Sequence, residues 1–398
     1  MILKTTKTRV VVIFEHFGPY HLARIREVNR LVDVTGLQLR EKSRTYQWEQ
    51  DLSFKEFRML SIPDTEAQWV REKRTLTKHL VQNLFKLKPD VVAVNGWGDF
   101  MSLDSLLWCV TQGVPAILMS ESTAWDLPRK PWVEKVKGRI VRLYSSSLVG
   151  GKAHREYLMQ LGFPAERIET GYDAVDNSYF EKETDRIRNL GKIKKPYFLA
   201  SARFLKRKNL DGLLRAYALY VNSTKREPWK LVILGDGEER LRLRLCLREL
   251  ERGLEEAVRF EGFRQYGELP AFYAGAGAFV HPAHEEPWGL VVNEAMASGL
   301  PVLVSRRCGC AGDLVAEGKN GFLLDPGDPM QMAARMREMA ELPDQARKKM
   351  GETSREIVAR YGPEQFAQGM VRAAHTAVAN PVKAGILDRL ILEALARR

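Results

Sequence analysis

Short apolar segments alternate along the chain with longer segments in which apolar residues recur every three or four positions. The short segments have the length and continuous apolar character of strands buried in a parallel sheet, and the longer ones have the period of amphipathic helices. This alternation predicts an α/β protein with doubly wound parallel sheets. The clearest predicted strands are 9–14, 90–95, 115–120, 197–201, 229–234, 278–280, 301–304 and 321–324.

The alternation is interrupted once, at residues 173–195, and then starts again. A chain of 398 residues is also longer than one average domain. We therefore predict an N-terminal Rossmann-like domain over 1–175, a linker over 176–196 and a second domain over 197–363. The C-terminal helical segment, 364–398, could pack back on the first domain.

The charge balance is strongly basic. Lys and Arg number 62 against 50 acidic residues, which gives a formal net charge of +12. Such an excess favours a polyanionic partner, although a solvated basic surface without a dedicated partner is an equally good interpretation. Because no zinc-finger spacing or RNA-binding aromatic signature accompanies the charge, nucleic acid is not a predicted partner.

The chain carries no apolar run of the roughly 18–20 residues that a membrane-spanning helix needs. Its first residues are too few and too polar for a secretory signal, so we expect a cytoplasmic location. A basic helix over 131–143 and an amphipathic tail over 385–398 could contact an anionic membrane at its inner face. A solvated helix face and docking of the tail on protein are the alternatives. The four cysteines fit reduced structural thiols better than a disulfide framework or a metal site.

Several predicted strands of the second half are followed by residues suited to binding a ligand. Arg203 and Lys208 follow the first, and two such cations suit a diphosphate, although a basic loop is often only solvated. The turn at Gly235 follows the second and permits close approach of a ligand. The segment 262–264 follows the third, and its main chain could pair with a nucleobase. Glu286 and Glu294, separated by seven residues, follow the fourth; alone, such a pair is commonly an ordinary surface feature.

Taken together, these segments resemble the family 4 glycosyltransferases, glycosyl transferases group 1. Residues 286–302 are similar to the family's EX7E signature and its continuation, and residues 202–208 to its diphosphate loop. Residues 234–238 and 320–328 also fit, and the resemblance is strong over about 145–375. It implies the GT-B fold, in which two Rossmann-like doubly wound domains face each other across a cleft.

The resemblance also implies roles for individual residues. Arg203 and Lys208 would stabilise the leaving diphosphate, with Glu286 holding the donor sugar as the third catalytic residue. Glu294 would bind the ribose. The other donor-binding candidates are Gly289 and Leu290 at a helix start, Gly235, the segment Gly262, Phe263 and Arg264, and, in the first half, Gly18 and Glu121.

The N-terminal half departs from the family pattern. It has Phe17-Gly18-Pro19 where many relatives have two glycines, and Glu121 or Ser122 stands near the place of a family histidine. Candidates for binding an acceptor are His21, Trp97 and Trp125, with packing or helix capping as the alternatives. These departures affect the identity of the sugar and acceptor rather than the transferase class.

The resemblance implies a retaining transferase that moves a sugar from a nucleotide diphosphate sugar, with UDP favoured, to a glycan, lipid-linked or small-molecule hydroxyl. It implies no cofactor and no metal. A sucrose- or trehalose-type synthase of the same fold is a related alternative. A protein without enzymatic activity that binds polyanions is the alternative from another class, suggested by the charge.

Overall fold

The computed structural model describes residues 7–40, 56–62, 69–126, 128–191, 196–250 and 253–397. The chain forms two compact units. One consists of Met1–Ala174 with Pro363–Arg398, and the other of Val175–Gly362. Each unit is built on its own sheet, and each is described separately below.

The N-terminal unit contains a seven-stranded parallel sheet with the order β3-β2-β1-β4-β5-β6-β7. Its central strands are buried on both faces, which explains their continuous apolar sequences, whereas the two edge strands are partly exposed. The strands are β1 (Arg9–Phe14), β2 (Asp33–Gln38), β3 (Arg58–Ser61), β4 (Val91–Asn95), β5 (Ala116–Ser120), β6 (Ser146–Val149) and β7 (Ile168–Thr170). The helices are α1 (Pro19–Leu31), α2 (Trp69–Leu87), α3 (Phe100–Gln112), α4 (Pro131–Val141) and α5 (Lys152–Gln160).

The C-terminal unit contains a six-stranded parallel sheet with the order β10-β9-β8-β11-β12-β13. Its strands are β8 (Tyr197–Ser201), β9 (Lys230–Leu234), β10 (Val258–Gly262), β11 (Ala278–His281), β12 (Val302–Ser305) and β13 (Gly321–Leu324). Its helices are α6 (Asn177–Asn189), α7 (Leu210–Ser223), α8 (Arg240–Leu250), α9 (Leu254–Ala257), α10 (Leu269–Gly275), α11 (Leu290–Ala297), α12 (Ala311–Leu314), α13 (Pro329–Glu341) and α14 (Asp344–Val358). The predicted class, two doubly wound α/β sheets, is confirmed.

The last two helices, α15 (Pro363–Ala379) and α16 (Ile386–Ala396), belong to the N-terminal unit. Helix α15 buries Phe366 and Met370 in the core beside β1. Helix α16 buries Leu392 and Ala396 in the core on the other side, against α3. None of the described helices combines the length and the apolar character that crossing a bilayer requires.

The segment expected to link the domains, 176–196, is placed differently by the structure. Most of it is helix α6, which lies within the C-terminal unit. Asp176 caps the helix by accepting a hydrogen bond from the Tyr179 amide at 2.9 Å, and Phe180 is buried against Tyr273. The charged residues that favoured a linker belong to an amphipathic helix with one buried face. Residues 192–195 lie outside the described part.

Each sheet has one point where the strand order reverses, between β1 and β4 in the first and between β8 and β11 in the second. The helices on the two sides of that point cover opposite faces of the sheet. This leaves a crevice beyond the carboxyl ends of the two strands, where open α/β sheets bind ligands. The topology therefore indicates a candidate ligand site at the loops after β8 and β11 of the C-terminal unit.

Gly321 at the start of β13 provides a test of this sheet. A Cβ atom there would lie 1.8 Å from the carbonyl oxygen of Val302 on β12. Because that oxygen belongs to a buried strand, we expect Gly321→Ala to lower the free energy of unfolding by about 1–3 kcal/mol. Urea unfolding measures it. Gly267→Ala is the matched control, since no atom lies within 4 Å of its Cβ position; equal stability of the two variants would contradict the described pairing of β12 with β13.

Candidate functional site

A buried ion pair lies at the point where the strand order of the C-terminal sheet reverses. Lys208, after β8, binds the Glu286 carboxylate, in the loop after β11. The Nε2 atom of His281, the last residue of β11, lies 2.9 Å from the same carboxylate oxygen. All three side chains are almost completely enclosed. The structure thus brings together two of the three predicted catalytic residues, 78 positions apart in the sequence.

The surroundings of Glu286 keep its carboxylate charged. Burial alone would raise the pKa of Glu286, but the hydrogen bond with His281 and the positive charge of Lys208 outweigh it and hold that pKa well below its usual range. An ionised carboxylate with such a low pKa is a poor proton acceptor. Its chemistry is therefore to accept hydrogen bonds and to balance positive charge.

The loops around this pair are fastened to one another by main-chain hydrogen bonds. The Ala202 amide donates to Leu234, and the Gly235 amide donates to Gly262 at 2.8 Å. The Phe204 amide donates to Asp236 at 2.8 Å. These bonds join the ends of three neighbouring strands. The segment 202–209, which we call the basic loop, is therefore held in place on one side by the Gly235 turn.

The main chain of the turn lies so close to the basic loop that position 235 requires glycine. Its φ is +121°, and a Cβ atom would lie 1.9 Å from the carbonyl oxygen of Ala202. A side chain at this position would push the basic loop away from the turn. The role predicted for Gly235 was donor binding; what the structure shows is its packing against the loop that carries Lys208.

Asn209 fastens the same loop on its other side. Its side-chain amide donates to the carbonyl oxygens of Pro282 and Pro326, at 3.0 and 2.8 Å. These two residues follow β11 and β13. One side chain therefore connects three strand-end loops and fixes where Lys208 meets Glu286.

The helix that follows the Glu286 loop begins against the carboxylate. Gly289 precedes Leu290, the first residue of α11, and has a φ of +104°. A Cβ atom at Gly289 would lie 3.3 Å from the Cγ atom of Glu286 and 3.6 Å from His281 Nε2. The positive end of the α11 dipole therefore lies close to the ion pair, which favours an anion at the helix start.

Glu294 lies inside α11 and has no exposed surface. It accepts a hydrogen bond from the Tyr273 hydroxyl at 2.6 Å. Burial raises the pKa of Tyr273 well above its ordinary value, and the charge of Glu294 adds to the effect, so this hydroxyl remains a donor. The two predicted glutamates thus have different partners, a lysine and a histidine for Glu286 and a tyrosine for Glu294.

The remaining donor-binding candidates of this unit lie on the same edge of the sheet. Arg203 is half-buried in the basic loop, and Gly262 ends β10 with a φ of +77°. Phe263 is half-buried. Arg264 binds Glu261 at 2.9 Å and Glu268 at 3.2 Å. Because these two carboxylates hold the Arg264 side chain, only its main chain is well suited to the contact with a nucleobase that the sequence suggested.

In the N-terminal unit, His21 caps the helix that follows β1. Its Nδ1 atom accepts a hydrogen bond from the Gly18 amide at 3.1 Å, and its ring packs on Phe14 at 4.3 Å. Burial lowers the pKa of His21 to about 3, and the charge of Arg24 adds to the shift. The ring is therefore neutral near pH 7 with its proton on Nε2, which makes it a hydrogen-bond donor on that side.

The other N-terminal candidates follow β4, which pairs with β1, and β5, which pairs with β4. Trp97 follows β4, and its ring centroid lies 6.4 Å from that of Tyr157 at the edge of the core. Glu121 and Trp125, in the loop after β5, are half-buried. Parallel strands end at one edge, so Gly18, Trp97 and Glu121 share the carboxyl edge of this sheet.

Sequence reasoning assigned no role to three residues that the structure places in the site, namely His281, Asn209 and Tyr273. Asn209 directly follows Lys208, and His281 ends the strand that precedes the Glu286 loop. Their positions at strand ends could have identified them. Tyr273 gave no such signal, because its contact with Glu294 depends on how α10 packs against α11.

Comparison with known families agrees with this site. Residues 181–357 match the model of the family described as glycosyl transferases group 1. That range includes the basic loop, the Glu286 loop and helix α11. The resemblance predicted from the sequence is thereby confirmed.

Curated relatives are transferases of sugars. The sulfoquinovosyl transferase of Arabidopsis thaliana is 29% identical over 337 residues, which are 80% of this chain and 61% of that protein. The D-inositol 3-phosphate glycosyltransferase of Corynebacterium urealyticum is 37% identical over 165 residues, which are 40% of this chain and 38% of that protein. The chain thus spans less than two thirds of the length of these relatives.

Solved structures show the same fold over almost the whole chain. Anabaena HepE in complex with UDP and glucose superposes with a TM-score of 0.71 at 18% identity, over 93% of this chain and all of that one. Sucrose-phosphate synthase from Thermosynechococcus elongatus gives 0.72 at 19% identity, over 94% and 100%. The predicted GT-B class, with two Rossmann-like domains, is confirmed.

The ion pair can be tested by a double-mutant cycle. Removing one partner of a buried pair leaves the other charge uncompensated, at a cost of about 3–5 kcal/mol, whereas replacing both partners costs less. We expect Lys208→Met and Glu286→Gln each to lower the free energy of unfolding. The double variant should lose less free energy of unfolding than the two single losses added together. Urea unfolding measures all three.

The matched control is Lys206→Met, an exposed lysine in the same loop, which we expect to unfold like the unaltered protein. Strictly additive costs of Lys208→Met and Glu286→Gln would show that the two side chains do not interact.

Proposed function

We propose that this protein, whose residues 181–357 match the model of the glycosyl transferases group 1 family, is a retaining glycosyltransferase that uses a nucleotide diphosphate sugar. The observation that carries the proposal is the buried contact of Lys208 and Glu286 beside the start of α11, at the reversal point of the C-terminal sheet. The proposal is supported because a fixed cation, the start of a helix and an ionised carboxylate lie together there, and binding a sugar diphosphate requires such groups.

In the proposed reaction the bond between the anomeric carbon and the diphosphate oxygen breaks, and its electron pair leaves with the nucleoside diphosphate. A new bond forms between that carbon and the acceptor hydroxyl oxygen, and the hydroxyl proton passes to the leaving phosphate. Lys208 and Arg203 stabilise the negative charge that develops on the diphosphate, assisted by the amides of Gly289 and Leu290. No metal ion is required for this charge balance.

Glu286 has a binding and electrostatic role in this proposal. Its low pKa and its contacts with Lys208 and His281 make it a weak nucleophile and a weak base. It accepts hydrogen bonds from the hydroxyls of the donor sugar and stabilises the positive charge on the reacting carbon. In the proposed reaction the acceptor attacks from the same face that the diphosphate leaves. The anomeric configuration is therefore retained without a covalent intermediate on Glu286.

The nucleotide itself is bound by the neighbouring elements. Glu294 accepts hydrogen bonds from the ribose, and the main chain of Gly262, Phe263 and Arg264 contacts the base. Gly235 keeps the basic loop in position. UDP is the favoured nucleotide because the structurally similar HepE was solved with UDP and glucose.

The acceptor, a glycan, a lipid-linked sugar or a small molecule with a hydroxyl group, is assigned to the N-terminal unit. His21, Trp97 and Trp125 lie on the carboxyl edge of its sheet, where stacking rings and a neutral imidazole donor suit a sugar. Gly18 and Glu121, on the same edge, stay predictions from the sequence as donor-binding residues.

A panel of nucleotide sugars tests the substrate. We expect a UDP-sugar to raise the melting temperature more than the GDP- and ADP-sugars, because a ligand of the folded state stabilises it. Lys208→Met should abolish the shift and lower kcat/KM for donor turnover about 10²–10³-fold, the loss typical of removing one group that stabilises developing charge. Lys206→Met should change neither. Salt-dependent DNA binding with no response to any nucleotide sugar would instead favour a polyanion-binding protein.

The stereochemistry tests the role of Glu286. We expect NMR of the product to show the anomeric configuration of the donor, and transfer to continue in the presence of EDTA. Glu286→Gln should lower kcat without accumulating a glycosylated protein, since the residue forms no bond to the sugar. An inverted product, or a glycosyl group trapped on Glu286 and detected by mass spectrometry, would refute this mechanism.

A further inference from the structure

The outward face of helix α16 is apolar although nothing in the described chain covers it. Leu392 and Ala396 point inward and are buried. Ile386, Leu387 and Leu390 point the opposite way, with 84%, 56% and 57% of their surfaces exposed. A helix that is apolar on both faces is normally buried on both. We therefore expect another molecule to cover the exposed face.

A cationic stripe lies on the neighbouring helix α4. The stripe consists of Trp132, Lys135 and Arg139 of α4 and of Arg142, the residue that caps its C-terminal end. They follow one another at intervals of three or four residues, which places them on one face of the helix. Trp132 is 67% exposed. Large aromatic side chains of this kind are enriched at protein and membrane interfaces. The stripe thus combines one large apolar side chain with three cations.

The stripe and the apolar face are joined into a single surface. Arg139 of α4 forms an ion pair with Asp388 of α16 at 2.7 Å. Lys135 and Arg142 have no acidic residue within ion-pair distance among the described residues, so their charges are not neutralised. Lys135, Arg139 and Arg142 also line a groove of about 640 Å³. We call this surface, formed by the stripe and the exposed face of α16, the α4–α16 surface.

We propose that the α4–α16 surface docks on an anionic phospholipid membrane. Exposed Trp and Leu side chains beside Lys and Arg are the combination that binds the interface of an anionic bilayer, where the apolar groups enter the acyl boundary and the cations meet phosphates. A second copy of this chain is a poorer occupant. Its +12 charge would bring a like-charged molecule against the cationic stripe.

The α4–α16 surface also adjoins the loop after β5. Arg129 at the end of that loop lies 3.7 Å from Glu134 of α4 and stacks on Tyr157, next to Trp97. A docked membrane would therefore lie near the candidates for acceptor binding. The consequence, that the acceptor is anchored in the membrane, rests on the proposed function, whereas the docking itself does not.

Vesicle flotation of the full chain tests the docking. Phosphatidylcholine vesicles with and without phosphatidylglycerol are compared at low and high salt. We expect binding only to the vesicles that contain phosphatidylglycerol, and a loss of binding as salt rises. The variant Lys135→Glu with Arg142→Glu should bind at least roughly 25-fold more weakly, because each basic residue near an anionic surface contributes about fivefold. Ile386→Ser with Leu390→Ser should also weaken binding.

Lys348→Glu with Lys349→Glu is the matched control, since it makes the same change of charge at exposed positions of α14. We expect this control to bind like the unaltered chain, and all variants to keep the thermal shift with the nucleotide sugar. The proposal is overturned if the control loses binding as strongly as the α4 variant, if no vesicle is bound, or if the apolar variant instead abolishes a dimer seen by light scattering. A failed thermal shift with intact vesicle binding would refute only the donor proposal.

Discussion

The burial of the Glu286 carboxylate is the constraint on which the candidate site depends. A carboxylate enclosed by protein is unfavourable unless charge and hydrogen bonds compensate it, and Lys208 and His281 provide both. The two compensating residues come from different strands that meet only where the strand order reverses. The ion pair therefore ties the chemistry of the site directly to the topology of the sheet.

The surrounding loops show how such a pair is kept in one geometry. Asn209 bonds to two other strand-end loops, and Gly235 allows main chain to approach main chain. Gly289 lets α11 begin against the carboxylate. Sites held by many short main-chain contacts lose little entropy when a ligand binds, because the groups are already in position. This preorganisation supports a role in stabilising charge as a diphosphate departs.

The two units carry different kinds of information. In the C-terminal unit, charged and glycine residues at several successive strand ends meet in one site. In the N-terminal unit, Trp97 and Glu121 share a sheet edge, but Trp97 also packs on the core and His21 caps a helix. Donor binding demands fixed charges, whereas acceptor binding can use ordinary polar and aromatic groups. For this reason the proposal for the acceptor also draws on the α4–α16 surface, outside the sheet edge.

The sequence by itself determined the parallel α/β class, most strands and the residues that carry charge in the site, because buried strands and helices impose periods that a single sequence displays. Only the tertiary structure decided which charges meet. The pairing of Lys208 with Glu286 depends on the order of β8 and β11, and that of Glu294 with Tyr273 on helix packing. The sequence also failed to predict that α6 belongs to the C-terminal unit, because this too depends on contacts with residues distant in sequence. Contacts between residues distant in sequence leave no local period, so the folded chain alone reveals them.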